Sequence, residues 1–339
     1  MGNMKLGLQL GYWGAGPDPR MVDIAQEAER LGYDAVFTAE AWGSDVFTPL
    51  SWIGAHTKTI RLGTGIAQIS ARAPTATAMA ALTLDHLSGG RMILGMGVSG
   101  PQVVEGWYGA GFSKPLSRTR EYVDIVRQVL RREAPVTSTG EHYPLPYTGE
   151  GSWGLGKPLK PITHPLRPDL PIFLGAEGPK NVTMTAEIAD GWLPLYYSPY
   201  RQDVYSDQIA GAKPGFEIMQ GLAVVINDDV EAALQPLKHN LALYIGGMGA
   251  KSRNFHNELV KRMGFEEAAE KVQDLFLAGK KDEAAAAVPT ELADEISLVG
   301  SVARIKDRLQ AWEDSPVTSL LVSTRNIDQL RTFADLVLG

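Results

Sequence analysis

The chain has 339 residues, is 44% hydrophobic and carries a net charge of −7, which allows a sizeable core and argues against a bulk nucleic-acid partner. It contains no cysteine, excluding disulfides, thiolate catalysis, iron–sulfur clusters and Cys-type zinc sites. No apolar run approaches the ~20 residues that a membrane helix needs, and residues 1–16 lack the basic start and apolar middle of a secretory signal, so the expected setting is the cytoplasm with no membrane partner.

Residues 5–10 form an apolar strand starter, followed by Gly11-Tyr12-Trp13-Gly14. Asp18 is placed to cap a helix with Pro19 at its first position, and Ile24, Ala28 and Leu31 supply that helix's buried stripe before Gly32 ends it. Residues 35–38 are a second strand, with Ala39-Glu40-Ala41-Trp42-Gly43 beyond its end, and 47–56 a second helix. A third strand at 60–66 contains Gly63 and Gly65; a loop from Gln68 to Pro74 precedes an amphipathic helix over 75–87, stopped by Gly89-Gly90. The apolar run 92–96, bounded by glycines, suits a strand buried on both faces. Gly97, Ser99 and Gly100 follow it, where glycine either lets backbone approach a flat ring or a phosphate, or merely serves the turn. Residues 117–132 are a strong amphipathic helix.

Residues 134–170 break this rhythm, being rich in Pro, Gly and Tyr; so long a structureless loop in a compact domain tends to be functional. A fifth strand at 171–174 leads into Gly175-Ala176-Glu177-Gly178-Pro179, which opens a helix to about residue 190. Strands follow at 191–195 and 216–226. Residues 228–295 are mostly helical with no convincing strand; a helix at 301–312, an eighth strand at 318–322 and a helix at 328–338 complete the chain. Eight strands, each followed by helix, favour an α/β fold of the (β/α)8 TIM-barrel kind, one domain over 1–339 with insertions after strands 4 and 7. In such barrels the C-terminal ends of the strands hold the chemistry.

Four strand ends carry the candidates. Glu40 follows strand 2 and reads either as a site carboxylate or as one that caps the next helix or pairs with a cation. Gly65 to Gln68 end strand 3, where glycine suggests close backbone approach. Gly97 ends strand 4. Gly175 to Gly178 precede a helix whose backbone N–H groups can face a phosphate, with Pro179 at a position where its missing N–H costs nothing. Tyr12, Trp13, Trp42, Trp107 and Tyr108 lie at or beyond strand ends and either wall a substrate pocket or pack into the core. The six histidines are scattered, with no pair at ligand spacing, so no metal site is expected. No G-x-S-x-G elbow or phosphate-binding P-loop occurs.

Several of these stretches together resemble the bacterial luciferase-like monooxygenase superfamily, and within it the coenzyme F420-dependent oxidoreductases of actinobacterial type. They are Ala35-Val36-Phe37-Thr38-Ala39-Glu40, Leu62-Gly63-Thr64-Gly65-Ile66, residues 82–100 with the specific Ser88-Gly89-Gly90-Arg91 turn, residues 175–192, and Leu298-Val299-Gly300-Ser301 leading to Arg304-Ile305. The resemblance implies a barrel that holds a flavin or deazaflavin over its strand ends. It implies a cis peptide at Gly65-Ile66 backing the ring, with Ala67 and Gln68 beside it. Gly97 and Val98 would line the ring or ribityl chain, and Gly175, Ala176, Glu177 and Gly178 would meet the phosphate through backbone donors, the Glu177 side chain pointing to solvent. One departure stands out: several family dehydrogenases place a catalytic histidine directly after the acidic residue ending strand 2, and here that position is Ala41. Glu40 is therefore the expected orienting or proton-handling group, with partial burial near Trp42 tuning it.

The function so implied is hydride transfer between the deazaflavin C5 of coenzyme F420 and a small organic substrate. The alternatives are an FMN-dependent monooxygenase using reduced flavin and O2, and a cofactor-binding barrel without chemistry. The polyglutamate tail of F420 wants cations near the pocket mouth, for which Arg72, Lys157, Lys160 and Lys180 are candidates. A homodimer is compatible with the sequence.

Overall fold

The computed structural model describes residues 4–249, 251–252 and 254–339. Met1 to Asn3, in the leading segment read above as lacking secretory features, and Ala250 and Arg253, within the helical insertion, lie outside the described residues. Ten strands pair in parallel: β1 (Lys5–Gly11), β2 (Ala35–Thr38), β3 (Arg61–Thr64), β4 (Ala67–Gln68), β5 (Met92–Gly97), β6 (Ile172–Gly175), β7 (Gly191–Leu193), β8 (Glu217–Ile226), β9 (Leu298–Gly300) and β10 (Ser319–Ser323). The order β10-β1-β2-β3-β5-β6-β7-β8 closes on itself, because β8 also pairs with β10 from Met219↔Ser319 to Ala223↔Ser323. Helices surround this ring. The chain is a (β/α)8 barrel, and the eight strands of the ring fall on the eight segments expected.

Three local features differ from expectation. The third strand is interrupted: the Gly65–Ile66 peptide is cis, as the resemblance implied, and β4 then resumes in register with β5 through Ala67↔Met96 and Gln68↔Gly97. A further strand, β9, extends the sheet beyond the ring on the outer half of β8 (Val224↔Leu298 to Ile226↔Gly300); three residues after a long helical stretch carry too little periodicity to announce it. Asp18 does not cap a helix starting at Pro19. Its carboxylate accepts from the Arg20 N–H (2.9 Å), and the helix begins at Met21.

Glycines inside the strands make room for large neighbours. A Cβ on Gly63 would lie 2.2 Å from the Phe37 ring, one on Gly7 2.4 Å from Leu321 and one on Gly191 2.7 Å from Phe173. Phe37, Phe173, Met219 and Leu321 thereby fill the barrel interior, each burial contributing ~1.5–3 kcal/mol. The barrel is a packed core, and ligands must lie above it.

The Ser88-Gly89-Gly90-Arg91 turn lies at the N-terminal end of the barrel. Gly89, at φ 70°, ends helix Pro74–Ser88 in the left-handed conformation. The buried Arg91 guanidinium then donates to Thr57 Oγ1 (3.0 Å) and to the carbonyls of Gly54 (2.9 Å), Thr57 (3.1 Å) and Ile60 (2.9 Å). Asp85, 1% exposed, accepts from the Met92 N–H (3.1 Å) and from Arg167 Nη2 (2.7 Å). This turn ties helix to strand and is far from the strand ends where ligands bind.

Both insertions are present. Residues 134–170 contain only an isolated Ser138–Leu145 bridge and no regular element. The second insertion comprises helices Val230–Gly247, Phe255–Arg262, Glu266–Leu277, Lys281–Ala287 and Thr290–Glu295, whose apolar faces join the same core as the barrel helices. Among the described residues no helix is long and apolar enough to cross a membrane, and no three His, Asp or Glu side chains are grouped to hold a metal ion.

Candidate functional site

A cavity of about 1730 Å³ opens over the C-terminal ends of the strands. Small-molecule sites commonly span ~300–1,000 Å³, so this one has room for a cofactor and a substrate together. Its floor includes Gly65, Ile66, Gln68, Gly97 and Val98. Gln9 on β1 reaches the Gly65 carbonyl from below (3.5 Å). A Cβ on Gly97 would stand 2.6 Å from Ile66 Cδ1, so glycine there lets the Ile66 side chain lie against β5. Ala67 is 2% exposed and contributes backbone pairing rather than cavity surface.

On one side the wall is the β6 turn, Gly175 to Lys180. Gly178 is the N-cap of helix Pro179–Ile188, and a Cβ built on it meets nothing within 4 Å. The N–H groups of Glu177, Gly178 and Lys180 donate to no other described residue. Unpaired donors at a helix start, beside open space, form a cradle for an anion. The side chain of Glu177 departs from expectation. It does not point to solvent but turns inward, 13% exposed, with Oε1 2.8 Å from Nδ1 of His256 on the insertion helix Phe255–Arg262. Its Oε2 is buried without a partner, and Arg262 donates to its carbonyl (2.9 Å). The carboxylate is thereby turned onto His256, leaving the backbone N–H of Glu177 to face the turn.

On the opposite side lies Glu40, buried with its side chain 3% exposed. Its Oε1 accepts from the Gln68 N–H (2.7 Å) and Arg72 Nη1 (2.8 Å), and its Oε2 from the Val46 N–H (3.2 Å) and Arg72 Nη2 (2.8 Å). Each partner is a donor, so in this geometry Glu40 only accepts. Hydrogen bonding and attraction from Glu40 raise the pKa of Arg72 against the opposing effect of burial. Trp42, expected to help bury this carboxylate, is itself 54% exposed. Glu40 lines the cavity and also fastens the β2–helix connection to the β4 loop through its pairing with Arg72. Gln68 donates to the Glu40 carbonyl (3.0 Å) and leaves its own Oε1 buried and unpartnered.

The aromatic candidates separate. Tyr12 and Trp42 line the cavity; Trp13, Trp107 and Tyr108 do not. Trp107 is 62% exposed, because the short helix Pro101–Gly106 ends just before it and turns it outward. Tyr108 reaches the Ala41 carbonyl (3.5 Å). Of the cations suggested for an anionic tail, Lys180 lines the cavity. Arg72 is taken by Glu40, Lys160 donates to the Glu133 carbonyl (3.0 Å), and Lys157 is exposed outside the cavity.

Residue 256 was not a sequence candidate, nor were Tyr196 and Tyr244, which pack edge-on to its ring with centroids 6.3 and 4.9 Å away. Burial pushes the Tyr244 hydroxyl up to about 12 and the Tyr196 hydroxyl well above its usual range. No local spacing links them: Glu177 and His256 are 79 positions apart.

The luciferase-like monooxygenase family profile matches residues 11–319. The chain belongs to this family. A Mycobacterium tuberculosis protein, provisionally named as a coenzyme F420-dependent oxidoreductase, is 57% identical over 98% of this chain and 99% of its own length. The 5,10-methylenetetrahydromethanopterin reductase of Archaeoglobus fulgidus is 27% identical over 95% of this chain and 93% of its own. The solved structure of the coenzyme F420-dependent tetrahydromethanopterin reductase of Methanopyrus kandleri superposes with a TM-score of 0.79, 21% identity, and 99% and 98% coverage of the two chains; that likeness shows a shared fold. As a luciferase-like protein, this chain carries its cavity where barrel enzymes carry theirs, with the interrupted third strand as floor and the β6 turn as wall.

Proposed function

We propose that this member of the luciferase-like family is an F420-dependent oxidoreductase, transferring a hydride between the deazaflavin C5 and a small organic substrate bound over the ring. The observation that carries the reading is the row of unpaired N–H groups at Glu177, Gly178 and Lys180 at one end of a cavity large enough for both molecules. The M. tuberculosis relative supports the choice of F420 by its name. The ring would lie against Gly65, Ile66, Gly97 and Val98. The phosphate would take the N–H groups of Glu177, Gly178 and Lys180, and the Lys180 side chain would meet the acidic tail. When bound, the cofactor supplies a two-electron hydride couple; the protein orients it and excludes water.

A fluorescence-quenching titration of the purified protein with F420 and with FMN tests this. Tighter binding of F420 is expected. Equal or tighter binding of FMN would favour a reduced-flavin monooxygenase, and binding of F420 with no turnover on a panel of enones and ketones would leave a cofactor carrier.

A further inference from the structure

Hydride delivery to a carbonyl or a conjugated double bond leaves negative charge on the substrate, and a proton must follow. Glu40 is occupied by four donors, and Ala41 has no acid to offer. The other titratable side chains lining the cavity are Tyr12, Lys114, Glu177, Lys180, Tyr196, Tyr244 and His256. Lys114 is paired with Glu141 (2.7 Å), and Tyr196 and Tyr244 hold their protons through burial. Histidine is the side chain whose ordinary charge change falls near neutral pH.

The His256 ring is held for such a task. Asn254, 4% exposed, accepts from the His256 and Asn257 N–H groups (3.0 and 3.1 Å) and donates to the Tyr244 and Ile245 carbonyls (both 2.9 Å), which fixes the start of the helix. Glu177 holds Nδ1, while Nε2 has no hydrogen-bond partner among the described residues. A carboxylate behind one ring nitrogen, with the other facing a ligand cavity, orients the ring so that Nε2 is the nitrogen that meets a ligand.

We propose that His256, oriented by Glu177, is the proton donor to the reduced substrate, a role that rests on the oxidoreductase reading above. As the hydride adds to carbon, the π electrons move to oxygen. The Nε2–H bond breaks and an O–H bond forms there, or, for an enone, the enol so formed tautomerises in water. The substrate gains two electrons and two hydrogens, the cofactor is oxidised, and His256 recovers its proton from solvent. In the reverse direction Nε2 accepts the proton. The groups facing the ring from its neighbours are Glu177 from the β6 turn, Tyr196 beyond β7, Tyr244 from helix Val230–Gly247 and, further off, Tyr12, Tyr205 and Arg262. Among these Glu177 is the anion and Arg262, which holds the Glu177 carbonyl, the cation.

The test compares wild type, His256→Gln and Glu177→Gln in three measurements: F420 affinity, the pH dependence of kcat for enone reduction, and 15N NMR of the ligand-free protein with labelled histidine. Donation requires the imidazolium, so wild-type kcat should fall as pH rises through the His256 titration seen by NMR. His256→Gln should lower kcat on the order of 100-fold, keep F420 affinity within about threefold, and lose that titration. Glu177→Gln should move both the NMR and the kinetic midpoints to lower pH, which also covers the case of a misfolded His256 variant. Unchanged kcat in His256→Gln, a loss of kcat matched by an equal loss of affinity, or NMR and kinetic midpoints that move independently would overturn the proposal. Wild type that fails to bind F420 would overturn the oxidoreductase reading itself, and that outcome is read before any variant is made.

Discussion

The two ends of the barrel use charge differently. At the N-terminal end, the ionic groups at the starts of β3, β5, β7 and β8 are closely partnered. Arg61 at the start of β3 joins Asp34 to Glu217, 3.0 Å away at the start of β8. Asp190 before β7 takes Arg127, Lys213 and the Ile172 N–H (2.7 Å). Asp85 and Arg91 close the turn between helix Pro74–Ser88 and β5. At the C-terminal end, Glu40 is likewise saturated, but Gln68 Oε1 and Glu177 Oε2 are buried without partners and the N–H groups of the β6 turn are free. Unmet polar groups are costly where no ligand comes. At the β6 turn such groups lie beside the cavity, where a ligand can meet them, whereas the strand starts named above answer their charges internally.

Breaking the N-terminal end should cost fold and spare binding. Asp85→Ala leaves the Met92 N–H and the half-buried Arg167 without their acceptor, and should destabilise by about 3 kcal/mol, read as a lower urea midpoint with unchanged F420 affinity. Glu40→Gln sharpens the comparison, because Glu40 lies at the ligand end yet is built like the other. It should cost about 2 kcal/mol by leaving Arg72 without its anion, and should leave the pH profile of kcat intact. A profile that flattens in Glu40→Gln would return the proton to Glu40. Gly178→Asp reverses the pattern: its Cβ has open space, so stability should hold while a carboxylate in the anion cradle weakens F420 binding on the order of tenfold or more.

The smallest effect is in acid. Burial alone would raise the pKa of Glu217 and Asp190, but Arg61 for the first, and Arg127, the Ile172 N–H and Lys213 for the second, hold both below their ordinary values of 4.5 and 3.8. Groups depressed in the folded state add stability that is complete above the unfolded values and drains away as pH falls through the folded ones. The melting temperature should therefore be flat above about pH 5 and fall below about 4.5. Arg61→Met should make that fall shallower by removing the partner that depresses Glu217.

The barrel was legible because it is local. Apolar runs mark β2, β5 and β6, with β5 bounded by glycines, and the stops at Gly32 and Gly89-Gly90 separate helix from strand. The floor and the β6 turn were legible for the same reason, each being a few consecutive residues at a strand end. What stayed hidden depends on pairs distant in sequence. Nothing near Glu40 reveals that Arg72 will occupy both its oxygens, and nothing near Glu177 reveals a histidine arriving from the second insertion. Trp107 and Trp13 misled because aromatic residues beyond a strand end can face either way, and the turn that aims them is set by packing. Gly65 carried the signal of close approach, while Gly63 in the same strand makes room for the ring of Phe37.

The central claim is that the free N–H groups of the β6 turn are an anion site for a deazaflavin cofactor. A crystal structure of the protein soaked with F420 tests it most directly. The account predicts phosphate density within hydrogen-bond distance of the Glu177, Gly178 and Lys180 N–H groups, with the ring against Gly65 and Ile66. Phosphate held elsewhere, with that turn left bare, would contradict it.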